Sequence, residues 1–149
     1  MYRRHTLFTG RVATLRELGL YNHLILLHRI SVRGMSDDEA DVHEGRSVFT
    51  YRIIRSAWQS LALRTFLRMI DVLHTETWQR ANPRTLRWTS PRIRYESGES
   101  RVEEGRPPIG LWRNCYDATW LAGLTPEQVL ELDIVDEDYD FSFTLPPRM

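Results

Sequence analysis

The sequence predicts an α+β fold, with three or four helices packed on a small, mostly antiparallel sheet. Three observations predict it. Apolar residues recur at helical spacing over residues 63–73, they alternate with polar ones over 47–54, and residues 125–128 carry a helix-start signature. The chain has 149 residues, 42% hydrophobic and 27% charged, which suits one globular domain spanning 1–149.

The elements follow in order. Thr14 caps a short turn through Leu15 and Leu18, which Gly19 breaks. Asn22 caps a second helix through Ile30, and Leu24, Ile25, Leu26 and Leu27 make it apolar on all sides, which predicts deep burial. Residues 34–46 are acidic and bounded by glycine, so an exposed loop is expected there. Residues 47–54 form a half-buried strand with Phe49, Tyr51 and Ile53 on its inner face. Trp58 anchors the corner between this strand and the next helix.

That helix starts at Ser60. Leu63, Phe66, Leu67, Ile70 and Leu73 form one stripe, and Arg64, Arg68 and Asp71 lie off it. The pattern fades after His74, and Pro83 prevents continuation. Residues 84–95 read as extended with an edge position at Pro91, and 96–108 as an exposed loop. Asp117 caps a short helix through Leu121. Thr125-Pro126-Glu127-Gln128 begins another, which covers Val129, Leu130 and Leu132. An acidic tail occupies residues 133–149. The expected core comprises Leu24, Leu27, Phe49, Tyr51, Ile53, Leu63, Phe66, Leu67, Ile70, Leu86, Trp112, Trp120, Leu121 and Leu130.

Composition narrows function. All 20 basic residues are arginine. Without a lysine the chain forms no Schiff base and builds neither a Walker A phosphate loop nor a kinase site by itself. The longest aliphatic run is residues 24–27, so no membrane partner is expected. No apolar stretch follows Arg3 and Arg4 as in a signal peptide, and Cys115 is the single cysteine. Together these predict an intracellular protein of the cytoplasm or nucleus.

Net charge is zero, yet its distribution is lopsided. Residues 1–106 carry a balance of +6 and residues 107–149 one of −6. The acids of the tail, Asp133, Asp136, Glu137, Asp138 and Asp140, are therefore candidate interaction residues. A protein partner or a second copy of the chain is the expected occupant. A second candidate surface is Arg84, Arg87, Trp88, Arg92, Arg94 and Tyr95. Its guanidiniums would hold phosphates and its aromatic rings would stack on bases, which makes nucleic acid an alternative partner.

No pattern specifies catalysis or a cofactor. Asp37, Asp38 and Glu39 are too close in sequence to converge on one ion. Asp136, Asp138 and Asp140 alternate as in a calcium loop, but Phe141 and Pro147 stand where glycine and glutamate are required. The five histidines are scattered and form no metal motif. The GxSxG and GxGxxG motifs are absent. A hydrolase whose groups meet only in the fold would draw first on Asp37, Asp38, His43 and Cys115.

Several pieces together resemble an uncharacterised family that recurs in mushroom-forming basidiomycete fungi. They are the Ser36-Asp37-Asp38-Glu39 segment, the strand around Tyr51, Trp58-Gln59-Ser60 leading into the helix at 63–70, and residues 110–117 continuing to Trp120-Leu121. The resemblance spans about residues 10–140. It implies a fungal, intracellular protein with a fixed domain, and it implies no catalytic residue.

Overall fold

The computed structural model describes residues 2–40, 50–82, 93–96 and 102–145. Its helices are α1 (Tyr2–Glu17), α2 (Leu24–Ile30), α3 (Leu61–Ala81), α4 (Ala118–Ala122) and α5 (Pro126–Glu131). Its strands are β1 (Asp38–Ala40), β2 (Thr50–Ile53), β3 (Arg55–Ser56), β4 (Ile93–Tyr95) and β5 (Val102–Glu103).

The α+β class holds, but the expected strand pairing does not. Antiparallel pairing occurs only between β1 and β2 among the described strands. Both β2–β4 and β3–β5 are parallel. A parallel partner needs a long crossover, and α3 supplies it between β2 and β4. The expected count of three or four helices is exceeded by α1. The sequence predicts only a turn from Thr14 there, because basic and polar residues break up the apolar pattern. The break at Gly19 is present and takes φ +73, a conformation open to glycine.

Four expectations are corrected. The acidic stretch 34–46 is partly structured, since residues 38–40 form β1. Likewise 96–108 contains β5. Asn22 lies within the 3-10 turn Tyr21–His23 rather than capping α2. Ile25 of α2 is 48% exposed, so the helix is buried on one side only.

The core forms where α1, α2 and α3 meet. Leu15, Leu26, Leu27, Ile30, Leu63, Phe66, Leu67 and Ile70 are all sealed from solvent. Trp58 sits at the β3–α3 corner as expected, almost wholly buried against Tyr116. Ser60 caps α3 by accepting from the Leu63 amide. The helix runs to Ala81, seven residues past the point where its apolar stripe fades. Asp117 caps α4, and Thr125 with Gln128 closes a capping box on α5. Leu130 does not join the core: it is 80% exposed, and Leu132 turns inward in its place. Trp112, Trp120 and Leu121 pack against the core without being sealed in it. Phe49 and Leu86 lie outside the described residues.

Gly34 is required by close approach. A Cβ there would lie 2.5 Å from Ile30 Cγ2 and 2.8 Å from Pro108 Cγ. The α2 turn and the segment before Leu111 can therefore meet only over a glycine.

The carboxyl-terminal segment is no free tail. Its amides and carbonyls pair with residues 110–114, through Gly110 N–H to Leu132 O at 2.8 Å and Val135 N–H to Leu111 O at 2.9 Å. Asn114 exchanges two side-chain hydrogen bonds with the Tyr139 backbone. Tyr139, Phe141 and Phe143 then pack against the core, the two phenylalanines within 6.0 Å of the Phe66 ring. Buried His23 fastens the segment. Its Nε2 lies 2.9 Å from Ser142 O, which can only accept, so Nε2 carries the hydrogen and Nδ1 takes the Tyr139 hydroxyl.

Candidate functional site

The most unusual chemistry of the chain lies between α1, α3 and the β1–β2–β4 sheet. On α3, Arg64, Arg68 and Asp71 recur at i, i+4 and i+7, forming a charged stripe beside the apolar one. The apolar stripe faces α1 and α2, and the charged one meets α1 and β4. There it closes a cluster with Arg11, Asp38, Arg94 and Glu96.

Arg11 is 1% exposed. It grips Asp71 in a two-pronged pair, Nε to Oδ1 at 2.7 Å and Nη2 to Oδ2 at 2.8 Å. Its remaining Nη1 donates to the Met35 thioether. Arg94 reaches in from β4 with a side chain 4% exposed. Its Nε donates to Asp38 at 3.0 Å, and its Nη2 to the Ser36 carbonyl at 2.7 Å. Asp71 Oδ2 also lies 3.2 Å from Arg68 Nη2 and 3.7 Å from Arg94 Nη1. One carboxylate thus serves three guanidiniums from three elements. Glu96 stands at the outer edge, held only at 3.8 and 4.0 Å by Arg64 and Arg68.

Charge and hydrogen bonding are both unbalanced here. Among the described residues, four guanidiniums face three carboxylates. Arg64 Nε, Arg68 Nε, Arg68 Nη1 and Arg94 Nη1 are buried donors without an acceptor. Burial, with Arg11 and Arg94 nearby, pushes the Arg68 guanidinium down to about 10, despite the attraction of Asp71. Arg94 is lowered by burial and by Arg11. Burial by itself would raise the Asp71 carboxyl, but Arg11 and its companions hold it below the ordinary range. At neutral pH Arg68 and Asp71 are therefore both charged.

The sequence-predicted site residues fare differently. Arg84, Arg87, Trp88 and Arg92 lie outside the described residues. Arg94 is turned into the cluster, so it is an internal ion-pair partner and not an outward phosphate ligand. Tyr95 is half-buried beside it on β4. Asp133, Asp136, Glu137, Asp138 and Asp140 all reach solvent, and Arg113 binds Asp136 and Asp138. Of the residues named for a hydrolase, Asp37 pairs with Arg4, Asp38 with Arg94, and His43 lies outside the described residues. Cys115 is sealed, and burial pushes its thiol up to about 12. Among the described residues, no three His, Cys, Asp or Glu side chains gather to hold a metal.

Sequence reasoning places Arg64, Arg68 and Asp71 only as lying off the apolar stripe, where charged residues ordinarily meet solvent, so it misses the cluster. One available signal was their spacing of i, i+4 and i+7, a second stripe as regular as the apolar one.

No helix among the described residues is long and apolar enough to cross a membrane. Comparison with known proteins finds no matching family model, no similar curated protein and no similar solved structure.

Proposed function

We propose that the protein is a non-enzymatic interaction module that self-associates through opposed charge. The acidic face at residues 133–140 docks on the arginine-rich residues 84–92 of a second copy. The reading rests above all on the anchoring of the carboxyl-terminal segment. Tyr139, Phe141 and Phe143 fix it inward, which leaves its carboxylates directed at solvent in a set arrangement. A surface ordered before binding loses little entropy when it docks. Arg113 neutralises only part of that charge, and Leu130 and Ile109 are exposed at 80% and 65%. The site of action is inside the cell, in cytoplasm or nucleus, where an unpaired Cys115 stays reduced. The likeness to the basidiomycete family belongs to the same proposal.

Deleting residues 133–149 would strip the core of Phe141 and Phe143, so neutralisation is the cleaner test. Asp133→Asn, Asp136→Asn and Glu137→Gln change charge alone. Asp133 has φ 49, a conformation asparagine also adopts. In sedimentation velocity at about 20 mM salt the native chain should form a species larger than the monomer, and this should dissociate at about 300 mM. The triple variant should remain monomeric. A monomeric native chain at every concentration, or unchanged association of the variant, contradicts the proposal.

A further inference from the structure

We propose that the guanidiniums of Arg64, Arg68 and Arg94 bind a phosphate group in place of the loosely held Glu96 carboxylate, carried by inorganic phosphate or by a small phosphate monoester. Four observations carry it. First, four donors on three guanidiniums are buried without acceptors, one of them on a side chain only 4% exposed. Buried donors are nearly always satisfied, so such a group of orphans implies an absent acceptor. Second, the donors belong to one neighbourhood. Arg68 and Arg94 share Asp71 Oδ2, and Arg64 and Arg68 share the Glu96 carboxylate.

Third, the cluster holds more cations than anions among the described residues, so one further anion improves its charge balance. Fourth, the outer edge of the cluster reaches solvent. Arg64, Arg68 and Glu96 retain side-chain exposures of 14%, 21% and 28%. Glu96 sits too far from either arginine for a hydrogen bond, so it occupies the mouth loosely and yields to a stronger ligand.

The donor set favours a tetrahedral ligand over a planar one. Arg64 and Arg68 approach from α3, and Arg94 approaches from β4. A carboxylate offers two oxygens in one plane, whereas a phosphate offers oxygens toward each of the three. Arginine is the side chain suited to such recognition, and its charge does not depend on pH near neutrality.

The test is calorimetric titration of the full chain with inorganic phosphate, phenyl phosphate or acetate, in chloride buffers of matched ionic strength. Saturable binding of one phosphate or phosphate ester per chain is expected, with acetate at least about tenfold weaker. The tighter of the two phosphate ligands identifies the source, free ion or monoester. Arg68→Gln and Arg64→Gln should each weaken binding about tenfold or more. Glu96→Gln removes the competing carboxylate at the exposed mouth, leaves the inner pairs untouched, and should tighten binding about threefold. That variant keeps the test valid should an arginine variant fail to fold. Absence of saturable heat with either phosphate ligand up to about 10 mM, equal affinity for acetate, or a Glu96→Gln variant that binds no tighter would overturn the proposal. Sedimentation plays no part in this readout, so its failure is separable from failure of the self-association reading.

Discussion

Asp71→Asn removes the carboxylate at the centre of the charged cluster while keeping size and one acceptor. Asp71 makes both bonds of the Arg11 pair, and it lies 3.2 Å from Arg68 and 3.7 Å from Arg94. Arg11 is 1% exposed, so its charge cannot turn to water. Breaking a buried pair by deleting one partner costs about 3–5 kcal/mol. Asparagine still accepts from Arg11 and the Asp71 side chain is 17% exposed, which places the loss near the lower end, about 3 kcal/mol. For a chain of this length that lowers the unfolding midpoint by about 6–12 °C. Urea unfolding followed by tryptophan fluorescence measures the free-energy loss, because Trp58 passes from burial to water. Glu76→Gln provides the contrast. It removes a helix-surface pair with Arg80 whose side chains are 47% and 57% exposed, and should cost about 0.5 kcal/mol or less. A loss below about 1 kcal/mol for Asp71→Asn would refute the reasoning that the cluster is an interior ionic contact.

Three further outcomes follow from the same geometry. Gly34→Ala should destabilise by about 1–3 kcal/mol in the same urea assay, since the added methyl meets the fixed Ile30 and Pro108 side chains; an unchanged midpoint would mean that these elements separate easily. The carboxyls of Asp37, bound by Arg4, and Asp71, gripped by Arg11, titrate below the unfolded value of about 3.9. Their contribution to stability is thus complete above that pH and is lost as pH falls through the folded values. The urea midpoint should begin to fall below about pH 6.5, because burial holds the His74 imidazole under its ordinary value and the unfolded chain takes up that proton more readily, and it should decline again below about pH 4, that second step more gently in Asp71→Asn. Cys115, sealed and with its thiol pushed up to about 12, should react with a thiol reagent at neutral pH only as fast as the chain opens, and rapidly in urea; fast labelling of the native chain would contradict its burial.

Much of the helical framework is legible in sequence, because caps and stripes are local signals. Ser60, Asp117 and Thr125 all cap where their spacing places them, and the 63–73 stripe is the core face of α3. Strand pairing is not legible, since whether β2 pairs parallel with β4 depends on how α3 folds back between them. The charge of residues 133–140 suggests a solvated tail, whereas the alternation of Tyr139, Phe141 and Phe143 carries the opposite message of an anchored segment. The arginine cluster escaped for a related reason. Arg11, Asp38, Asp71 and Arg94 each look like surface residues, and only the fold brings them from α1, β1, α3 and β4 into one contact.

The central claim is that these charges form an interior contact on which both stability and anion recognition depend. A double-mutant cycle of Arg94→Met and Asp38→Leu tests it most directly, because the two side chains are 4% and 5% exposed and joined at 3.0 Å. Asp38→Leu should cost about 3 kcal/mol by depriving buried Arg94 of its hydrogen-bonded carboxylate, and the double variant should cost about 2 kcal/mol less than the sum of the two single losses. Strictly additive losses would mean that the pair is not coupled and would contradict the account.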